Sequence, residues 1–231
     1  LPVKHLLIVT VLLLTTAVTW NTQKHFKQEL AHFSPQLEIH RITLSTWKTI
    51  GWQQLPAYRL DIEGRNEQPM NFQWAGSIDI LQAALHKQGW TPATPVSPMN
   101  AMNWLAPDPA ISSLPVLPQV NDGQHQKLLL VAPHNPEDDH LTVMRLWQTD
   151  REILPANQPV WIGNIAYLYL KRNLPLISYL RTKSDYETPL NHLEEALGHS
   201  SHILMTLRTR QSVTTQMQWS GHILLAWEVS G

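Results

Sequence analysis

The chain has 231 residues with 17 basic and 18 acidic side chains, a formal charge of -1 and no cysteine. That length suits one domain of ordinary size or two small ones, and one is expected. The balanced charge excludes the broad basic field that gathers nucleic acid, and the missing thiols exclude disulfides, thiolate metal sites and cysteine nucleophiles while leaving the compartment open.

From Val3 to Trp20 the sequence is apolar, with the run Leu6-Leu7-Ile8-Val9 and the triplet Leu12-Leu13-Leu14 at its heart. At about 1.5 Å per residue, a helix of this length just spans a hydrocarbon core of about 30 Å. Residues 1–20 therefore read as an N-terminal transmembrane or signal-anchor helix. A cleaved signal peptide is the alternative, with Thr15-Thr16-Ala17 as a mediocre cleavage site. Trp20 at the interface and Lys24 and Lys27 beyond it favour the anchor, and Lys4 ahead of the span leaves orientation unset by charge. Residues 21–36 read as a juxtamembrane linker helix stopped at Ser34-Pro35, and residues 37–231 as the α+β domain. The first residue is Leu, which fits an alternative start or the tail of a longer multi-span protein.

Residues 37–44 alternate as a strand, Trp47, Ile50 and Trp52 follow in the same extended reading before Leu55-Pro56 breaks it, and residues 58–62 alternate again. In the block 68–76, Met70, Phe72 and Trp74 fall on one side of an extended segment and Asn71 and Gln73 on the other, the pattern of a half-buried strand. Gly76 ends it. Ser77 then caps a helix whose stripe is Ile78, Leu81, Ala84 and Leu85, closed by Gly89, with Met70, Phe72 and Trp74 expected beneath that stripe. Residues 91–118 are dense in proline and read as a long ordered loop, with a short turn near Met99 and with Trp104 and Leu105 packed inward. Asn121-Asp122-Gly123 signals a hairpin. Strands are expected over 127–132, 141–147, 160–169 and 176–181. A second helix opens at Thr188-Pro189-Leu190 with Thr188 as its cap, and strands over 202–207 and 223–229 close the chain. The expected fold is α+β: a mixed, mostly antiparallel sheet with two helices on one face, preceded by the N-terminal helix.

Several of these stretches carry a resemblance: residues 68–76, Gly89-Trp90, residues 114–118, Asn121-Asp122-Gly123, Leu146-Trp147 and residues 160–164. Together they resemble the LssY C-terminal domain family over roughly residues 37–229, and Gln73-Trp74-Ala75-Gly76 is the most specific block. The resemblance implies placement at the end of multi-span membrane proteins that carry a DedA-like domain, a type 2 phosphatidic acid phosphatase-like domain, or both. The family takes its name from a locus of type I secretion genes. No catalytic residue follows from it.

The residues themselves offer weak candidates. Ten tryptophans make the chain tryptophan-rich, and such rings build cores more often than grooves. Trp74, Trp147 and Trp161, with Asn71, Arg145 and Arg59, could line a pocket for a sugar, peptide or lipid headgroup. His134, Asp138 and His140 lie on one polar turn, but neither a zincin pair nor a His-x-His element supports a metal, and no cofactor is expected. Asp122 with His125 fits turn chemistry better than acid–base work, and Glu194-Glu195 fits a solvated helix face. Ser220-Gly221-His222 matches part of a phosphatase signature. The Lys/Arg clamp and the second His that this chemistry needs are missing from the sequence. The expectation is a noncatalytic accessory domain, tethered by Val3 to Trp20 to a bacterial inner membrane, with its soluble part in the periplasm. Its partners would be the bilayer and a neighbouring multi-span domain, not nucleic acid. The alternative is a hydrolase acting on lipid-linked or envelope phosphates.

Overall fold

The computed structural model describes residues 38–173, 177–211 and 219–229. The expected anchor over 1–20 and linker helix over 21–36 lie outside the described residues. Among those described, no helix is long and apolar enough to cross a membrane.

The chain opens with β1 (His40–Thr43), α1 (Leu44–Thr49) and a 3-10 turn (Gly51–Gln54). Next come β2 (Tyr58–Leu60), β3 (Asn66–Pro69), β4 (Phe72–Ala75), α2 (Ile78–Lys87) and β5 (Thr91–Pro92). The proline-rich loop holds α3 (Pro98–Ala101) and two more 3-10 turns (Met102–Leu105 and Ile111–Ser113). It leads to β6 (Val120–Asn121), β7 (Gln124–His125), β8 (Leu128–Val131), β9 (His140–Leu154) and β10 (Gln158–Asn173). The chain finishes with β11 (Ile177–Thr182), α4 (Glu187–Gly198), β12 (Ile203–Thr209) and β13 (His222–Glu228).

Nine strands form one sheet in the order β12-β13-β4-β10-β9-β8-β5, with β1 paired to β9 and β11 paired to β10. The β1–β9 and β13–β4 pairings are parallel and the others in this sheet antiparallel. The fold is thus α+β with a mixed, mostly antiparallel sheet. β9 and β10 outrun the apolar stretches that announce them. Apolar alternation marks only their middle; beyond Trp147, β9 is partly exposed and carries Asp150, Arg151 and Glu152 while still pairing with β1.

Both faces of the sheet are covered. On one face α2 and α4 set Leu81, Leu85, Leu190, Leu193 and Leu197 over Phe72, Trp74, Leu146, Trp161 and Ile165. On the other, α1 and the following 3-10 turn bring Trp47 and Trp52 down with Tyr58 and Met70 onto Trp147, Ile162 and Leu225. Each such side chain contributes about 1.5–3 kcal/mol by leaving water.

This second layer corrects the sequence reading in two places. Thr43 ends β1 and caps α1, its hydroxyl accepting from the Thr46 N–H at 3.1 Å, so Trp47 and Trp52 arrive on helical turns instead of an extended strand. The block 68–76 is also not one strand. β3 stops at Pro69 and belongs to a two-stranded sheet with β2. The chain then crosses into the main sheet while the Met70 N–H donates to the Ala57 carbonyl at 2.9 Å. Only Phe72 and Trp74 therefore lie beneath α2, and Met70 packs on the opposite face. Asn71 and Gln73 are as fully buried as the apolar residues they alternate with.

Two smaller expectations also change. Leu105 is exposed and Trp104 only half-buried, while Leu114 and Val116 of the same loop are packed inward. At α4 the capping carboxylate is Asp185, which accepts from the Glu187 and Thr188 N–H groups at 3.1 Å, and the Thr188 hydroxyl donates to it at 2.8 Å.

Candidate functional site

β8 runs out at Val131, the chain turns through Pro133 to Asp139, and β9 begins at His140 beside α4. Between them opens a cleft of about 290 Å³ lined by Trp90, Pro133, His134, Asp138, His140, Thr142, His192, Glu195 and His199. His192 lies on α4 and His199, seven residues on, is the C-cap just beyond Gly198, so both reach the same side of the helix.

These imidazoles are held by neighbours. His140 Nδ1 meets Asp139 Oδ1 at 2.9 Å, and its ring packs on Tyr167 with centroids 4.0 Å apart. The hydrogen bond from His140 holds the Asp139 carboxyl below the usual carboxylate range. Tyr167 OH is hydrogen-bonded to His192 Nδ1 at 3.2 Å. Burial, then the charges of Asp185 and Asp138, push this phenol up to about 12, so it stays neutral at physiological pH. His199 Nδ1 meets the Glu195 carbonyl at 2.8 Å. His134 Nδ1 is enclosed without a partner among the described residues. Among the described residues the lining carries no hydroxyl apart from that of Thr142, and no amine. His134, Asp138 and His140 do share this cleft. No group of three His, Asp or Glu side chains among the described residues is placed to hold a metal ion.

Five of the six residues expected to line an aromatic pocket are separated by the sheet, and the sixth, Arg59, lies on β2 outside it. Trp74 and Trp161 are cross-strand partners on the α2 face. Their indole N–H groups donate to the carbonyls of Ser77 at 3.1 Å and Gly76 at 3.0 Å, which pins the strand-to-helix turn. Trp147, Asn71 and Arg145 belong to the opposite face. Asn71 bridges the backbone of β10: its Nδ2 donates to the Ile165 carbonyl at 3.0 Å and its Oδ1 accepts from the Ile165 N–H at 2.8 Å. Asn164 reaches out of the same face, Nδ2 donating to the Pro69 carbonyl at 2.7 Å.

The remaining candidates have local structural partners. Asp122 and Gly123 take φ of 47° and 73° at the tip of the β6–β7 hairpin, the left-handed pair such a turn requires. Ser220 and Gly221 form the turn before β13. There one carboxylate, Glu187, holds both Ser220 Oγ and, at 2.6 Å, His222 Nδ1. The serine is thus bonded to the acid and not to the imidazole, which is not the order a nucleophile relay needs. Sequence reasoning misses Tyr167, His192 and His199, although the seven-residue spacing of the two histidines along α4 and its C-cap is a readable sign that they share a side.

A family profile described as LssY C-terminus matches residues 52–171, from the tryptophan of the first 3-10 turn almost to the end of β10. No curated protein and no solved structure matches the chain. The profile spans the central hairpin, the strand-to-helix unit pinned by Trp74 and Trp161, and the β8–β9 wall of the cleft, and the chain belongs to the LssY C-terminus family.

Proposed function

We propose that this chain is a membrane-tethered accessory domain that binds a polar envelope ligand in the histidine-lined cleft and presents it to a neighbouring multi-span membrane domain. The observation that carries this reading is how the cleft's groups are engaged. His140 is held by Asp139, His192 by a neutral phenol and His199 by a backbone carbonyl, an arrangement that fixes donors for recognition and leaves no activated nucleophile. The tether is the apolar stretch from Val3 to Trp20, with the domain on the periplasmic side of a bacterial inner membrane. An exposed stripe supports a place near the bilayer: Met99, Met102 and Leu105 are 79%, 66% and 62% exposed and recur every third residue along α3 and its 3-10 extension.

Protease added to spheroplasts carrying the full chain tests the placement: the domain should be digested and the anchor fragment survive, whereas a protected domain contradicts it. The second reading, a hydrolase of lipid-linked phosphates, draws on the Glu187–His222 pair, which leaves the imidazole's other nitrogen for proton transfer. Under the accessory reading, Asp122→Ala and His222→Ala leave the fold and binding intact, Asp122→Ala at some cost in stability because Ala is strained at a φ of 47°. Loss of a measured hydrolase rate in either variant, with the fold intact, would reverse the order of the two readings.

A further inference from the structure

Arg145 lies in the middle of the sheet, opposite Asn164 of β10 on one side and Leu129 of β8 on the other, and only 2% of its surface is exposed. Among the described residues its side chain has no carboxylate in ion-pair reach and no hydrogen-bond acceptor, and its Nε is fully enclosed. The charge it feels is a second cation, Arg59. That guanidinium is fixed in place, Nε donating to Gln68 Oε1 and Nη1 to the Val120 carbonyl, both at 2.7 Å. Two carboxylates act on it, Glu67, which stands 3.7 Å away and is substantially exposed, and Asp61. Two residues along β9, on the same face as Arg145, the indole N–H of Trp147 is likewise enclosed without an acceptor.

Burial, and then the charge of Arg59, lower Arg145 to about 10, which still leaves it a cation at neutral pH. An enclosed cation without a counter-charge is among the costliest groups a core can hold. The unpartnered oxygens of Asn164 (Oδ1) and Gln73 (Oε1) on this face can each meet one N–H but carry no charge to offset the guanidinium. Unpaired donors on this interior face, with a second guanidinium near enough to act on the first, call for an occupant rich in acceptors and negatively charged, and a guanidinium fork matches the paired oxygens of a carboxylate or phosphate.

We propose that Arg145, assisted by Arg59, binds a small oxyanion group beneath the second layer of the fold. This site lies apart from the histidine cleft and does not depend on the reading given to it.

The test is thermal unfolding of the full chain in detergent at fixed ionic strength, with sodium chloride replaced stepwise by sodium phosphate in one arm and by sodium acetate in another. The wild-type Tm should rise along a saturating curve, by several degrees well above the dissociation constant, in at least one arm. A response to phosphate alone assigns a phosphoryl group, and a response to acetate a carboxylate. Arg145→Met should lose the saturable rise. A wild-type Tm that is flat in both arms, or a rise shared in parallel by Arg145→Met, would overturn the site. If Arg145→Met does not fold, calorimetric titration of phosphate and of acetate into the wild-type chain decides alone: saturable heat with either supports the site, and its absence with both refutes it.

Discussion

Asn71 extends a β-ladder with its side chain. The register of β4 on β10 ends at Phe72 opposite Gly163, and two places further along β10 the Asn71 amide takes up both the N–H and the C=O of Ile165. Replacing it with Ala leaves those two buried groups unpaired, at about 1–3 kcal/mol each. Denaturant unfolding of Asn71→Ala should therefore show a midpoint well below wild type, and an unchanged midpoint would remove the residue's structural role. Gly163 is constrained differently: a Cβ there would sit 2.5 Å from the Arg145 carbonyl oxygen, so Gly163→Ala should destabilise as well. Tyr167 supplies a pH signature. The fold favours its neutral phenol, raising it to about 12 against about 10 in the unfolded chain. The stability it contributes is fully present below pH 10 and lost as pH climbs through about 12. In an absorbance titration of the phenols, Tyr167→Phe should remove one late-ionising group; loss of an ordinary one instead would contradict the burial.

At the scale of elements, α2 starts where an oxygen waits: Ser77 Oγ accepts from the Asp79 N–H at 3.2 Å. Ser77→Ala should cost about 1 kcal/mol, readable by the same unfolding measurement. This unit was legible because serine, the change of hydrophobic period and Gly89 agree within a short window. α1 was not legible, since Trp47, Ile50 and Trp52 suit an extended reading as well as a helical one and only Thr43 separates them. The cleft was half legible. His134, Asp138 and His140 stand together in the sequence, but their facing wall comes from α4, and no local pattern says that α4 crosses the start of β9. The split of the aromatic-pocket candidates has a similar cause: period two separates the faces of one strand but does not say that both faces are covered. The exposed stripe on α3 makes its own prediction. Met99→Ser, Met102→Ser and Leu105→Ser combined should leave unfolding unchanged, because these side chains bury little. The triple variant should weaken the full chain's resistance to protease in membranes around that loop, and identical cleavage in both proteins would detach the stripe from the bilayer.

Taken as a whole, the described residues form a sheet closed on both faces, with an apolar layer under α2 and α4 and a second layer that mixes tryptophans with fully buried amides and a guanidinium. A half-exposed sheet would have left Asn71, Gln73 and Arg145 in water. The second layer, contributed by α1 and the first 3-10 turn, turns them into structural or ligand-holding groups. The family profile begins at Trp52 inside that layer and covers both central strands, which fits a block that serves architecture before chemistry. Hydrogen exchange across the chain tests that claim most directly. Amides of β4, and those of β10 facing Asn71 and Trp74, should exchange last and only by global unfolding, long after those of the proline-rich loop. Exchange of the β4 amides as fast as the loop would show that β4 is not a strand around which this domain is held.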